Sequence, residues 1–297
     1  LWAGSADYHV DVRCSDEIFK QLSQNYLKFR NTCKFCLDNL VGFDADHLVQ
    51  PDEMLPLDKW AVTRLNTLIE KVFAAYDNYE FHVVSHMVND FCVVDLSSFY
   101  FDIIKDRLYC GEENSPERRS AQSAVWMILD AMTRLFAPIL AFTCDEVWLA
   151  MPHRAGDDAR NVLLNQMVQP YAAYALSEEE MGKWARLAAL RTAVNGALEQ
   201  ARADKTIGKS LEAEVDLTVT TEDAFLTDMD AADLADLLIV SQVRVEVGAE
   251  QDVAVRPANG AKCLRCWKVL PTVGSDAGHP DLCPRCAAVV KNLPVIE

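Results

Sequence analysis

The sequence predicts a mainly α protein: a helical bundle, followed by a small α+β unit and a short C-terminal ribbon built around cysteines. Three observations carry that prediction. Through most of the first 205 residues, apolar side chains recur at three- and four-residue steps, the spacing that lines one face of a helix. From residue 211 the pattern changes to alternation, which suits strands. Beyond Pro257, two Cys-x-x-Cys pairs punctuate a stretch with little apolar content.

Residues 16–40 place Ile18, Leu22, Tyr26, Phe29, Cys33, Leu37 and Leu40 on one helical face, with Ser15 as the cap and Asp16 and Glu17 in the first turn. A second helix opens at Pro56, where the missing N–H does no harm, and continues through Trp60, Leu65, Ile69 and Phe73. A third covers about 79–106. A fourth runs over about 117–151, with Pro138 expected to kink or divide it. The short polar link at 111–115 fits antiparallel neighbours. A fifth helix, 177–205, repeats the pattern through Trp184, Leu187, Leu190, Val194 and Leu198. Strands are predicted at 211–220 and 238–247, and short helices in the acidic stretch 223–236 between them.

Composition narrows the function. At 51% hydrophobic and 25% charged residues, the chain reads as an ordinary folded protein with little room for long disorder. No uninterrupted apolar run is long enough for a membrane span. The opening Leu-Trp-Ala-Gly-Ser-Ala-Asp-Tyr carries neither an initiator Met nor a leader pattern, which is expected of a cut inside a longer protein. Six of the ten cysteines are scattered through helical contexts rather than set in a disulfide framework, so a reducing, cytoplasmic setting is expected. A formal charge of -17 argues against indiscriminate coating of nucleic acid, and any such contact must be local. Charge is segregated: residues 216–252 hold ten acidic residues against Arg244, while 183–209 hold six basic residues against Glu199 and Asp204.

The strongest chemical signal is Cys263-x-x-Cys266 and Cys283-x-x-Cys286, separated by sixteen residues. Two thiolates three positions apart grip one side of a tetrahedron, and a second pair closes the other at Zn–S distances of ~2.3 Å. Four protein ligands leave no vacancy for substrate, so one structural zinc per chain is predicted. Its binding free energy, ~10 to 16 kcal/mol in small zinc modules, would exceed what so small a core supplies. Arg265 and Arg285 sit within the two knuckles and Trp267 directly follows a ligand. The ring either stacks on an unpaired base, with the arginines on phosphate or base edges, or covers the metal site.

Other motifs carry less. Gly208-Lys209-Ser210 resembles the end of a phosphate loop, but Ala203 stands where its first glycine belongs and the preceding residues read as helix. His82 and His86 lack the glutamate of a zinc protease, and Cys33 with Cys36 reads as packing. The acidic groups Glu112, Glu113, Glu117 and 178–180 complement helix starts. No catalytic residue is assigned.

With these residues in view, the whole chain resembles the C-terminal part of the bacterial-type isoleucyl-tRNA synthetase family. The match rests on LWAGSADY at 1–8, DLSSFYFDIIKDRLY at 95–109, RRSAQSAVWMILDAMTRLFAPILAFTCDEVW at 118–148, GKSLEAEV at 208–215, and CLRCW with CPRC in the ribbon. The resemblance implies a fragment of a class I, ATP-dependent ligase that joins isoleucine to its tRNA. ATP would belong to the full-length enzyme, because neither the HIGH nor the KMSKS signature occurs here. The implied organisation is the trailing edge of the catalytic region at 1–14, a class Ia anticodon-binding helical domain at 15–206, an α+β junction at 207–257 and a zinc module at 258–297. The implied partners are the anticodon stem-loop of an isoleucine tRNA and the catalytic domain of the same polypeptide, in a monomer with no membrane. Arg265 and Trp267 match the family's RCW segment at the anticodon, and Arg30 and Asn31 match its RNT segment on the first bundle helix. Phe29, Cys33, Lys34 and Cys36 depart from the family pattern in packing only. A rival reading from a different class is a zinc-ribbon scaffold that docks a protein and binds no RNA.

Overall fold

The computed structural model describes residues 1–293; the last four residues of the expected 258–297 module lie outside them. The chain packs as two compact units, one of Leu1–Leu108 and Glu113–Ser177, the other of Tyr109–Glu112 and the chain from Glu178 onward.

The first unit is helical: α1 Trp2–Ser5, α2 Asp16–Asn39, α3 Pro56–Asp77, α4 Phe81–Asp90, α5 Phe101–Cys110, α6 Pro116–Phe136 and α7 Ala141–Ala150. Its starts follow local chemistry. Ser15 accepts from the Ile18 N–H at 3.3 Å, Pro56 opens α3, and Ser115 accepts from the Arg118 N–H at 3.3 Å ahead of Pro116. Pro138 falls in the turn that separates α6 from α7, as its missing N–H dictates. The single helix expected over 79–106 is interrupted, because the backbone widens over Phe91–Tyr100 into π-type turns, where the Phe101 N–H reaches back five residues to the Leu96 carbonyl. The wider winding lets Phe91, Cys92, Leu96, Phe99 and Tyr100 all be buried.

Helix α6 is the axis of this core. Every residue from Ser120 to Thr133 is buried, and α2, α3, α4 and α7 pack around it. Cys33 and Cys36 lie in this core, where burial pushes both thiols well up, so they serve as inert packing groups. The core also holds one fully buried carboxylate. Asp58 accepts hydrogen bonds from the Tyr100 hydroxyl at 2.7 Å and the Ser120 hydroxyl at 2.6 Å, and pairs with Arg107 at 3.4 Å. Burial raises its pKa, while Arg107 and the two hydroxyls pull against that rise.

The second unit contains α8 Glu178–Ala203, β1 Ala213–Val219, α9 Ala231–Leu238, β2 Gln242–Val247, β3 Asp252–Pro257, β4 Ala261–Lys262, β5 Val269–Leu270 and α10 Pro284–Lys291. A three-stranded sheet runs in the order β2-β1-β3, with β1 parallel to β2 and antiparallel to β3. The parallel pair requires a crossover, supplied by the 3-10 turns of Thr221–Asp228 and by α9. These are the short helices expected in the acidic stretch.

One strand expectation needs adjusting, and strand β3 was not placed on sequence. Helix α8 packs on β3 through a buried stripe of Leu187, Leu190, Val194, Leu198 and Ala201, and belongs to the second compact unit. The strand expected at 238–247 begins only at Gln242, because Leu238 closes α9 and Ile239 adopts the left-handed cap (φ 57°) that turns the chain. Strand β3, Asp252–Pro257, begins where the acidic run ends and has no counterpart among the predicted strands.

No helix among the described residues is long and apolar enough to cross a membrane. Replacing Asp58 with Ala strands the Tyr100 hydroxyl and the Arg107 guanidinium and is expected to lower the unfolding free energy by about 3 kcal/mol; urea titration followed by circular dichroism measures this.

Candidate metal centre and nucleic-acid interface

The hairpin β4–β5 and helix α10 carry four cysteines to one point. The Sγ atoms of Cys263, Cys266, Cys283 and Cys286 all lie within 4.8 Å of one another, and all four residues are buried. Cys266 and Cys283 stand 3.9 Å apart. A tetrahedron with Zn–S bonds of ~2.3 Å has sulfur–sulfur edges of about 3.8 Å, so the cradle fits the ion.

Local chemistry prepares the thiolates. Burial works against the Cys263 thiolate, but backbone N–H groups, among them that of Cys283 at 3.3 Å, bring its pKa down. A hydrogen bond from the Cys266 thiol, with help from Cys283 and Arg265, pushes the Cys286 thiol down, and Cys266 moves up in response. Thiols crowded this way hold protons only by sharing them, and a divalent cation relieves the crowding. The four cysteines fit one structural zinc ion, which when bound supplies a rigid tetrahedral crosslink. The donor set is complete without water, so it offers no site for hydrolytic chemistry.

The first knuckle closes on itself through Cys263 N–H to the Lys268 carbonyl and Trp267 N–H to the Cys263 carbonyl, both at 2.9 Å. This turn forces Trp267 to φ +65°, a region that L-residues other than Asn and Asp seldom occupy. Gly260 fixes the hairpin's other end: at φ +120° a Cβ there would meet the Leu270 carbonyl carbon at 2.2 Å. The side chain of Gln242 ties β2 to the hairpin through the carbonyls of Asn259 (2.7 Å) and Val269 (3.0 Å).

The sequence-predicted RNA residues fall in different settings. Trp267 is 54% exposed, so part of its ring is open to solvent. Lys209 and Lys262 reach over this ring, their ammonium nitrogens 5.3 Å and 6.0 Å from its centre. Arg265 turns inward. Its guanidinium donates to the Cys110 carbonyl, to the Tyr109 carbonyl at 3.4 Å, and toward Cys286 Sγ at 3.9 Å, so it satisfies the end of α5. Cys110 completes the packing around the four ligands. Arg30 and Asn31 are exposed on α2, in the first unit.

The phosphate-loop resemblance at Gly208-Lys209-Ser210 ends in a carboxylate: Glu212 accepts the N–H of Gly208 at 2.9 Å and of Lys209 at 3.2 Å, where a phosphate would have to sit. The lysines at Trp267 were missed on sequence. Only the basic run 183–209 pointed toward one of them.

Comparison with known proteins adds the family. The model described as the anticodon-binding domain of tRNA ligase matches residues 58–217. The chain belongs to this anticodon-binding family. The zinc finger found in FPG and IleRS matches residues 260–289, which contain the four cysteines, Arg265 and Trp267. The chain is 44% identical over 305 residues to an isoleucine–tRNA ligase of Geobacter sulfurreducens and 45% identical over 304 residues to one of Desulforamulus reducens, covering 98% of this chain in each case. It is 42% identical to the Moorella thermoacetica ligase over 309 residues. The chain spans about a third of the length of these relatives (32% to 33%).

Purified protein is expected to contain one equivalent of zinc by elemental analysis. Cys283→Ser should release it and unfold the C-terminal module while the helical signal of the first unit persists in circular dichroism.

Proposed function

We propose that this chain recognises the anticodon stem-loop of an isoleucine tRNA on behalf of a class I isoleucine–tRNA ligase, whose activation of isoleucine with ATP would take place in a catalytic domain of the same polypeptide. One observation carries the reading: in a member of the anticodon-binding family, an aromatic ring beside a four-thiolate centre stands out to solvent under two ammonium groups. A base has a π-face and a charged backbone. The ring answers the first and the lysines the second.

In this reading Trp267 stacks an unpaired base. Arg265 contributes by bracing the knuckle against the last turn of α5, since its donors are engaged inside the protein. Arg30 and Asn31, exposed on α2, are proposed as contacts to the stem. The metal is structural, the chain alone forms no aminoacyl-adenylate, and the working form is a cytoplasmic monomer. The rival scaffold reading finds no support in the family matches, one to the anticodon-binding domain of tRNA ligase and the other to the zinc finger found in FPG and IleRS.

Trp267→Ala is expected to weaken binding of an isoleucine anticodon stem-loop by roughly ten-fold or more, matching a stacking contribution of about 1–3 kcal/mol, with zinc content unchanged. Fluorescence anisotropy with labelled RNA reads the effect; equal affinities would return the ring to a packing role.

A further inference from the structure

Among the features outside the metal cradle, the two lysines over Trp267 carry the most. They come from distant parts of the chain: Lys209 from the turn after α8, and Lys262 from strand β4. Backbone geometry holds both stems. The main-chain N–H of Lys209 is fastened to Glu212, and Lys262 pairs with Val269 across the hairpin. The charges are differently placed. Lys262 has a carboxylate oxygen of Glu212 at 3.9 Å, whereas Lys209 makes no ion pair among the described residues. Beside Lys209 an open concavity of about 410 Å³ is lined by Arg202, Lys205, Thr206, Gly208 and Glu212. Arg202 is engaged with Glu199 at 2.7 Å, which leaves Lys205 as its exposed cation without an ion pair among the described residues.

A cation over an aromatic face at an exposed site is held weakly. Two such cations on one exposed ring, in a protein of net charge -17, repel one another and have little to gain there beyond that weak attraction. An incoming nucleotide brings a flat base for the ring and a phosphate on each side for the ammonium groups. On the anticodon reading above, on which this inference rests, we propose that Lys209 and Lys262 swing off the Trp267 ring to take the phosphates flanking the stacked base, and that the strand continues past Lys209 toward Lys205. The segment that resembles a phosphate loop would thus meet phosphate through its side chain, while its backbone N–H groups remain closed by Glu212.

The experiment titrates the isoleucine anticodon stem-loop RNA against the full chain over a series of salt concentrations, for the wild type, Lys209→Gln, Lys262→Gln, the double variant, Lys209→Arg and, as a control remote in sequence and paired with Glu179, Lys183→Gln. Each single Gln variant should bind about 3–10-fold more weakly and lose about 0.7 from the slope of log K against log salt, and the double variant about 1.4, the amounts lost with one and two single-strand phosphate contacts. Lys209→Arg should keep the wild-type slope, Lys183→Gln should match the wild type, and zinc should stay at one equivalent throughout. Unchanged affinity and slope in the Gln variants overturn the inference, as does weaker binding with an undiminished slope, which would mean that the lysines only prop the ring. Wild-type protein that fails to bind the RNA brings down the anticodon reading itself, whereas wild-type binding with silent lysines brings down this inference alone.

Discussion

The convergence of four sulfurs is the constraint on which the cysteine module beyond Pro257 depends. Beyond Pro257 the buried apolar side chains other than the cysteines are Ala287 and Val289 among the described residues. That is far too little area to fix a two-residue hairpin, a knuckle and a two-turn helix. A tetrahedral crosslink replaces the missing core, so the precision of every nearby group derives from metal–sulfur geometry. The knuckle's backbone hydrogen bonds, the Gln242 tether and the Arg265 contact with the Cys110 carbonyl set the neighbouring side chains around that centre.

Electrostatics then divides the labour in the second unit. The sheet's acidic side chains are partly answered from within: Arg256 bonds to Glu214 at 3.0 Å and pairs with Asp216, and Arg244 reaches Glu214 at 3.1 Å. These arginines draw the Glu214 carboxyl below its usual range, through the Arg256 hydrogen bond first. Basic residues committed in this way are not available to a polyanion. Among the described residues Lys209 and Lys262 hold their ammonium groups beside an aromatic ring, which favours a short, defined contact over broad adhesion.

The sequence was most legible where one periodicity met one cap. Ser15 and Pro56 marked two helix starts, and the cysteine spacing marked the metal centre. It was least legible where tertiary packing chose between equal local options. Residues 91–100 read as ordinary helix because a π-type turn uses the same residue types and differs only in which carbonyl each N–H finds. Strand β3 alternates as Asp252-Val253-Ala254-Val255-Arg256, a run too short to stand out until β1 supplies its partner. The amphipathic stripe of α8 says that it must cover something, without saying whether helices or a sheet. The lysines at Trp267 were invisible for the same reason: proximity in space between residues 209 and 267 is written in the fold and not in spacing.

The backbone at Trp267 has one more implication. A bulky residue held at φ +65° costs on the order of 1–2 kcal/mol relative to the relaxed chain, and only the closed knuckle compels it. The indole therefore has no independent tendency to stand where it does. Without a bound ion the turn would be free to relax toward ordinary dihedrals, and the ring would lose its bearing even in molecules whose helices remain intact.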